Sequence, residues 1–92
     1  MIKTFRCTET EKLFNDESSK RFSSIQRVAR RKLEMLEAAK QLSDLKSPPG
    51  NRLEQLRGDR SGQYSIRVND QFRICFRWSE NAAWDVEIVD YH

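Results

Sequence analysis

The sequence has little of what metal and redox proteins depend on. It contains two cysteines, Cys7 and Cys75, and a single histidine, His92. Two cysteines cannot build a disulfide scaffold or a four-ligand zinc site by themselves. One histidine makes a histidine-based metal centre improbable. We therefore expect no metal and no cofactor.

Long apolar runs and an export signal are also missing. No apolar run approaches the roughly 20 residues that span a bilayer, and Met1–Arg6 lacks the apolar stretch of a secretory signal. Neither a glycine-rich phosphate loop nor a nucleophile elbow is present. Ninety-two residues enclose one core, so we expect a single domain over residues 1–92, in the cytoplasm and not associated with a membrane.

What the sequence does have is basic charge, unevenly distributed. The net charge is +3. Every basic residue after position 46 is arginine, whose planar fork suits phosphate. An acid-free basic cluster suits a polyanion surface, although a solvated helix face would look the same. That cluster comprises Lys20, Arg21, Arg27, Arg30, Arg31 and Lys32.

The first half of the chain has helical periodicity after a short alternating start. Ile2–Arg6 alternates as a strand would. Thr8 is predicted to cap a brief helix that carries Leu13 and Phe14, and Ser23 or Ser24 to cap a longer one. Two prolines in Ser47–Gly50 then separate this helical half from the second half of the chain.

Beyond Gly50 the period changes to two, over three runs joined by short turns, which predicts antiparallel strands. One face of the sheet is then apolar and should bury the helices. The fold class expected is α+β, with two N-terminal helices packed on a curved antiparallel β-sheet. The apolar positions are Tyr64, Ile66 and Val68, then Phe72, Ile74, Phe76 and Trp78, then Trp84, Val86 and Ile88.

The opposite, polar face of this sheet is the candidate site. Arg67, Arg73 and Arg77 fall on one side by two-residue parity, where they could hold a phosphate chain. A wet sheet face with cross-strand pairs, such as an arginine with Glu87, is the alternative. Cys75 lies mid-strand and is interpreted as a packing residue.

Four segments together resemble a known family: Ser47–Glu54, Leu56–Val68, Gln71–Ile74 and Val89–His92. They look like the HigB toxins of the RelE/ParE superfamily of bacterial type II toxin–antitoxin systems, closest to the GraT-like members. The resemblance implies a ribosome-dependent endoribonuclease, an mRNA interferase that arrests translation and growth. No metal takes part, because the ribose 2′-OH attacks the scissile phosphate.

The resemblance also implies residue roles. Arg73 matches the arginine that contacts the scissile phosphate, and Asp90, Tyr91 and His92 match the catalytic C-terminal group. Arg57 occupies a position that is basic in relatives, whereas Glu54 replaces the histidine of one subgroup.

The general base stays open on chemical grounds. Arginine remains protonated at any relevant pH, so Arg57 and Arg73 cannot be bases. Glu54, Asp90, Tyr91 and His92 are the candidates for proton transfer. The remaining cationic residues are expected to bind RNA or the ribosome, namely Arg67, Arg77 and the acid-free cluster of residues 20–32.

The expected partners come from the resemblance as well. They are a HigA-type helix-turn-helix antitoxin from the same operon, the 70S ribosome with its mRNA, and operator DNA bound through the toxin–antitoxin complex. Two alternatives share the fold or the charge: a ParE-like toxin that binds DNA gyrase without catalysis, and a non-catalytic ribosome- or RNA-binding module. Neither alternative requires Arg73 together with Asp90–His92.

Overall fold

The computed structural model describes residues 1–91. Two α-helices, α1 (Thr8–Phe14) and α2 (Gln26–Ala38), precede a four-stranded sheet. All neighbouring strands are antiparallel, in the order β1-β2-β3-β4. This confirms the predicted α+β class. The strands are β1 (Glu54–Gln55), β2 (Tyr64–Arg67), β3 (Phe72–Ser79) and β4 (Ala82–Asp90).

One core lies between the helices and one face of the sheet. Leu33 and Leu36 of α2 pack with Ile66, Ile74 and Ile88 of the strands, and none of them is more than 2% exposed. The helical spacing of the first half and the alternation of the second thus meet in a single apolar layer. None of the helices described is long and apolar enough to cross a bilayer.

The start of the chain covers the outer edge of β4. Its predicted strand is reduced to two isolated parallel bridges, Ile2 with Ala83 and Phe5 with Val86. Thr10 of α1 also covers this edge, because its Oγ1 accepts a hydrogen bond from the Ile88 amide at 3.0 Å. An edge covered in this way cannot pair with a further strand.

The predicted helix caps are wrong. Helix α1 has Cys7 at its N-cap and α2 has Ile25, and neither start has a side-chain cap. Ser23 and Ser24 lie instead in a short 3₁₀ helix, Ser23–Ile25, that leads into α2. Tertiary burial of Ile25, 4% exposed, replaces the capping signal as the determinant of this boundary.

A β-bulge changes the predicted faces of β4. The pairing shifts between Cys75 and Arg77, where Asp85 has a φ of 54°. As a result Trp84 is paired with Arg77 on the polar face, and Ala83 takes the core position. The prediction that Trp84 shares the apolar face with Val86 and Ile88 is therefore wrong, because strict alternation fails at a bulge.

A buried polar contact ties α2 to the segment after the proline break. Asn51 is fully buried, and its Oδ1 accepts a hydrogen bond from Lys32 Nζ. Its Nδ2 donates to the carbonyls of Leu45 and Ser47 at 3.2 and 3.3 Å. Asn51 thereby satisfies groups that would otherwise be costly to bury.

Candidate active site

Arg73 lies on the polar face of β3, as predicted, and contacts with the protein hold its side chain in place. It is 9% exposed. Its Nε donates to Ser65 Oγ at 2.7 Å, and one Nη donates to the Arg52 carbonyl at 2.6 Å. Arg52 adopts a left-handed backbone, with φ 46°, which turns this carbonyl toward the guanidinium. Removing Arg73 would therefore leave buried acceptors without their donor.

Tyr91 lies beside Arg73, as strand parity predicts. Arg73 Cζ lies 5.9 Å from the centroid of the Tyr91 ring, within cation–π range. The Tyr91 amide donates to the Gln71 carbonyl at 2.6 Å, which fixes the backbone where the ladder between β3 and β4 ends. Tyr91 as a whole residue is 42% exposed, so a planar group could stack on its ring.

Asp90, the residue before Tyr91 in the predicted terminal group, faces away from it. Asp90 pairs with Phe72 in the sheet register, one position out of phase with Tyr91. Its Oδ2 accepts a hydrogen bond from Gln71 Nε2 at 3.1 Å. His92 lies outside the described residues.

Glu54 begins a row of residues that crosses the polar face. It pairs with Ser65, Ser65 pairs with Cys75, and Cys75 pairs with Glu87. Glu54 is exposed and lies two strand spacings from β3, about 10 Å. The same row brings Ser65, the partner of Arg73, next to Glu54.

Arg57 lies in the connection between β1 and β2. It follows β1 and precedes the 3₁₀ helix Gly58–Arg60, with its side chain exposed. Within residues 1–91 no hydrogen bond, ion pair or ring contact joins Arg57 or Glu54 to Arg73 or Tyr91. The structure thus brings Arg73 and Tyr91 together and leaves Glu54 and Arg57 without a contact to either of them.

Sequence reasoning missed an ionic cluster on this face. Arg60 Nη1 lies 3.4 Å and Arg6 Nε 3.6 Å from Glu87 Oε2. Arg60 also donates to Gln63 Oε1 at 3.0 Å. The alternative of a wet sheet face includes a cross-strand pair between an arginine and Glu87. The arginines that reach Glu87 come instead from a turn and from the N-terminal segment, which strand alternation does not reveal.

Cys75 lies under this layer and is fully buried. Burial raises the pKa of the Cys75 thiol, so the thiol stays protonated and is a poor nucleophile. This agrees with its interpretation as a packing residue.

Arg67 and Arg77 lie on the polar face as predicted. Arg67 is the direct cross-strand partner of Arg73, and its guanidinium is ion-paired with Asp70. Arg77 Nε lies 3.6 Å from Asp85 Oδ2, and both side chains are about half exposed. Both arginines can therefore be reached by a ligand on this face.

The acid-free cluster is divided by the fold. Lys32 is 8% exposed, and burial lowers its pKa, so its expected place on an RNA-binding surface is wrong. Arg30 Nε donates to the Leu13 carbonyl at 2.8 Å and lies 3.2 Å from Asp16 Oδ1. Arg30 thus fastens α1 to α2, against the expectation that it faces a polyanion. The exposed remainder, hereafter the basic surface, is Lys20, Arg21, Arg27 and Arg31.

The arrangement can stabilise negative charge without a metal. Among residues 1–91 no group of three or more histidine, cysteine, aspartate or glutamate side chains is placed to hold a metal ion. A fixed guanidinium beside an exposed aromatic ring can receive a phosphate and an adjacent base. Glu54, exposed on β1, supplies a carboxylate acceptor.

Comparison with known proteins decides the family. The family model described as "RelE-like toxin of type II toxin-antitoxin system HigB" matches residues 3–92. The chain belongs to this HigB-like toxin family. Its segments that resemble HigB, including Val89–His92, all fall inside the matched range.

Relatives at the sequence level agree with this assignment. The HigB-like toxin is 44% identical over 85 residues to Toxin HigB-1 of Vibrio cholerae, covering 90% of each chain. It is 41% identical over 68 residues to an uncharacterized protein of Haemophilus influenzae, covering 74% of this chain and 67% of that protein.

Solved structures share the fold. The YoeB–YefM complex from Staphylococcus aureus matches with a TM-score of 0.61 at 15% identity, over 100% of this chain and 98% of the matched chain. A heterotetrameric YoeB–YefM toxin–antitoxin complex from the same organism gives the same TM-score at 16% identity. The HigB-like toxin is thus the toxin of a type II toxin–antitoxin system, on a RelE-type fold.

Proposed function

We propose that this HigB-like toxin is a ribosome-dependent endoribonuclease that cleaves translated mRNA and so arrests translation and growth. The observation that carries the proposal is the buried guanidinium of Arg73, fixed by Ser65 and the Arg52 carbonyl, beside the exposed ring of Tyr91. A cation held in advance needs no reorganisation when charge develops on the phosphate. RelE-type toxin membership agrees with this chemistry. A ParE-like gyrase binder is not favoured by that membership.

The reaction is an attack of the ribose 2′-oxygen on the adjacent phosphorus. The new 2′-O–P bond forms, the P–O5′ bond breaks, the 2′-OH proton passes to a base, and the leaving 5′-oxygen receives a proton. Arg73 stabilises the charge on the crowded phosphate, and Tyr91 stacks on an unpaired base. Arg57 supplies a second cation, the role that the resemblance to the family implies for it. Glu54, Asp90, Tyr91 and His92 are the candidates for the two proton transfers.

Primer extension on mRNA from cells that express the toxin tests this proposal. We expect new 5′ ends inside coding sequence on translated messages. A matched message that lacks a start codon is the control and should remain intact. Growth arrest without new 5′ ends would contradict the nuclease assignment and point to a target other than mRNA.

The basic surface is proposed to dock ribosomal RNA away from the cleaved nucleotide. Arg27 and Arg31 are four residues apart on α2 and both exposed, so they lie on one side of the helix. Arginines on one helix face are typical of phosphate contacts that fix orientation without reading sequence.

Replacing Arg27 and Arg31 with glutamine should weaken binding to 70S ribosomes and flatten its salt dependence, by about one unit of log Kd against log salt for each lost phosphate contact. Binding measured across a salt series checks this. Lys40 and Lys46 are exposed lysines beyond α2, and their double glutamine variant has the same net charge. An equal loss in both variants would mean that only net charge matters.

We further propose a HigA-type helix-turn-helix antitoxin as the binding partner, a complex with it that binds operator DNA, and a cytoplasmic site of action. The neighbouring YoeB folds were solved as complexes with the antitoxin YefM, which supports a protein partner of this class. The ribosome is the reason for the cytoplasmic location, since translated mRNA is the proposed substrate.

A further inference from the structure

The bulge in β4 has a consequence beyond the register of the sheet. The backbone of Asp85 is in the left-handed region, with φ 54°, which is unfavourable for a residue with a side chain. The result is that Trp84 leaves the core face and becomes the cross-strand partner of Arg77. Bulges are frequent beside binding sites, where they redirect a side chain.

The two tryptophans differ in how they pack. Trp78 packs against the core, with its ring 6.4 Å from that of Phe76. Trp84 is half-buried but does not belong to the core cluster or to the side chains packed on it. Its indole Nε1 donates to the Ser79 carbonyl at 2.9 Å, which orients the ring. A large apolar ring is thus held in place on the polar face without packing on the core.

Arg77 supplies a cation next to this ring. Its side chain is 46% exposed and paired only loosely with Asp85, at 3.6 Å. Gly62 lies close to this guanidinium. A side chain at position 62 would place its Cβ atom 2.9 Å from an Nη atom of Arg77. An oriented aromatic ring beside an accessible guanidinium is the arrangement that binds single-stranded RNA, with a base on the ring and a phosphate on the cation.

We propose that Trp84 and Arg77 form a second nucleotide subsite, which stacks an unpaired base of the bound message and contacts its phosphate. Arg77 follows Arg73 by four residues on the same strand face, about 13 Å along β3. The two arginines therefore contact different phosphates, and the subsite binds a nucleotide outside the cleaved bond. This inference rests on the proposed function, because it takes the message along β3 as the substrate.

The composition of the subsite favours a single-stranded RNA over a protein as its occupant. Arg77 continues the row of guanidiniums that contains Arg73, and it lies on the same strand face. Arginines spaced along one strand face match the phosphates of a single-stranded RNA that runs along β3. Antitoxin binding at Trp84 is the alternative that the experiment must separate.

The test uses Trp84→Ala, Trp84→Phe and the complete toxin on programmed 70S ribosomes. The first measurement is affinity for ribosomes that carry a message made non-cleavable by a 2′-deoxy nucleotide. We expect Trp84→Ala to weaken the message-dependent part of this affinity by about 5- to 150-fold, the range for loss of one stacked base, and Trp84→Phe to restore most of it. On cleavable message we expect KM to rise by a similar factor with kcat unchanged.

Three results would overturn the subsite. Unchanged affinity and KM in Trp84→Ala would show that the ring contacts no base. A lower kcat with unchanged KM would place Trp84 in a structural role. Weaker binding of the cognate antitoxin with unchanged message affinity would assign the ring to the protein interface. Because affinity is measured on a non-cleavable message, a wild-type toxin that binds but never cleaves would refute the nuclease proposal and leave the subsite standing.

Discussion

Replacing Arg73 with alanine should lower the rate of mRNA cleavage on programmed ribosomes by about 10²–10³-fold, the usual effect of losing one preorganised donor. The reason is geometric as well as electrostatic. The Ser65 hydroxyl and the carbonyls of Ser65 and Arg52 accept hydrogen bonds from this guanidinium, so the charge is already in place before substrate binds. Single-turnover cleavage of a programmed ribosome measures the effect.

The same substitution should also destabilise the fold. It leaves the Ser65 hydroxyl and the Arg52 carbonyl without their donor, which costs about 1–3 kcal/mol. Thr10→Val is the matched control, because it removes the acceptor of the Ile88 amide in the opposite layer and costs a similar amount. We expect Thr10→Val to unfold more easily and still to cleave.

Arg73→Lys separates charge from geometry. Lysine keeps the charge but cannot reproduce the planar fork that joins Ser65 and Arg52, so we expect most of the loss to persist. Wild-type cleavage by Arg73→Ala would assign the residue a structural role only. Equal loss in Thr10→Val would mean that stability, not the phosphate contact, limits the assay.

The sequence predicts those parts of the site that depend on strand parity. Arg67 and Arg73 are cross-strand partners, and Tyr91 lies beside Arg73, because the strands that carry them alternate regularly at these positions. Alternation is a local property, so it can be read from the residues alone.

These failures involve tertiary contacts or backbone geometry that alternation and helical spacing do not encode. In the sequence, Lys32 looks like an exposed charged residue, because its hydrogen-bond partner, Asn51, lies beyond the proline break. Trp84 resembles a core residue because nothing in the sequence marks the bulge at Asp85. The burial of Arg73 depends on the Arg52 carbonyl, which no side-chain pattern encodes.

Deleting Tyr91 and His92 should abolish mRNA cleavage while the protein stays folded. Little core is lost, because Ile88, at 2% exposed, is the last deeply buried residue of β4. The deletion removes the backbone bond from Tyr91 to Gln71 and the ring over Arg73, and the latter contributes only about 0.5–1 kcal/mol when exposed. Loss of a positioned proton donor or acceptor costs about 10²–10⁴-fold in rate. Cleavage of programmed ribosomes measures the loss, with circular dichroism as the test of folding.

Two single substitutions divide the effect between the two residues. Tyr91→Phe keeps the ring over Arg73 and removes only the hydroxyl, so it should retain stacking and lose any proton transfer through that oxygen. His92→Ala removes the imidazole of the single histidine in the sequence, the type of side chain most often used for proton transfer. If His92 transfers a proton, its loss lowers kcat and removes one limb of the pH–rate profile. Full activity of the deletion variant would exclude both residues from the chemistry. Glu54 and Asp90 would then remain as the candidates for proton transfer, and the result would favour Glu54 with Arg57 as the second cation.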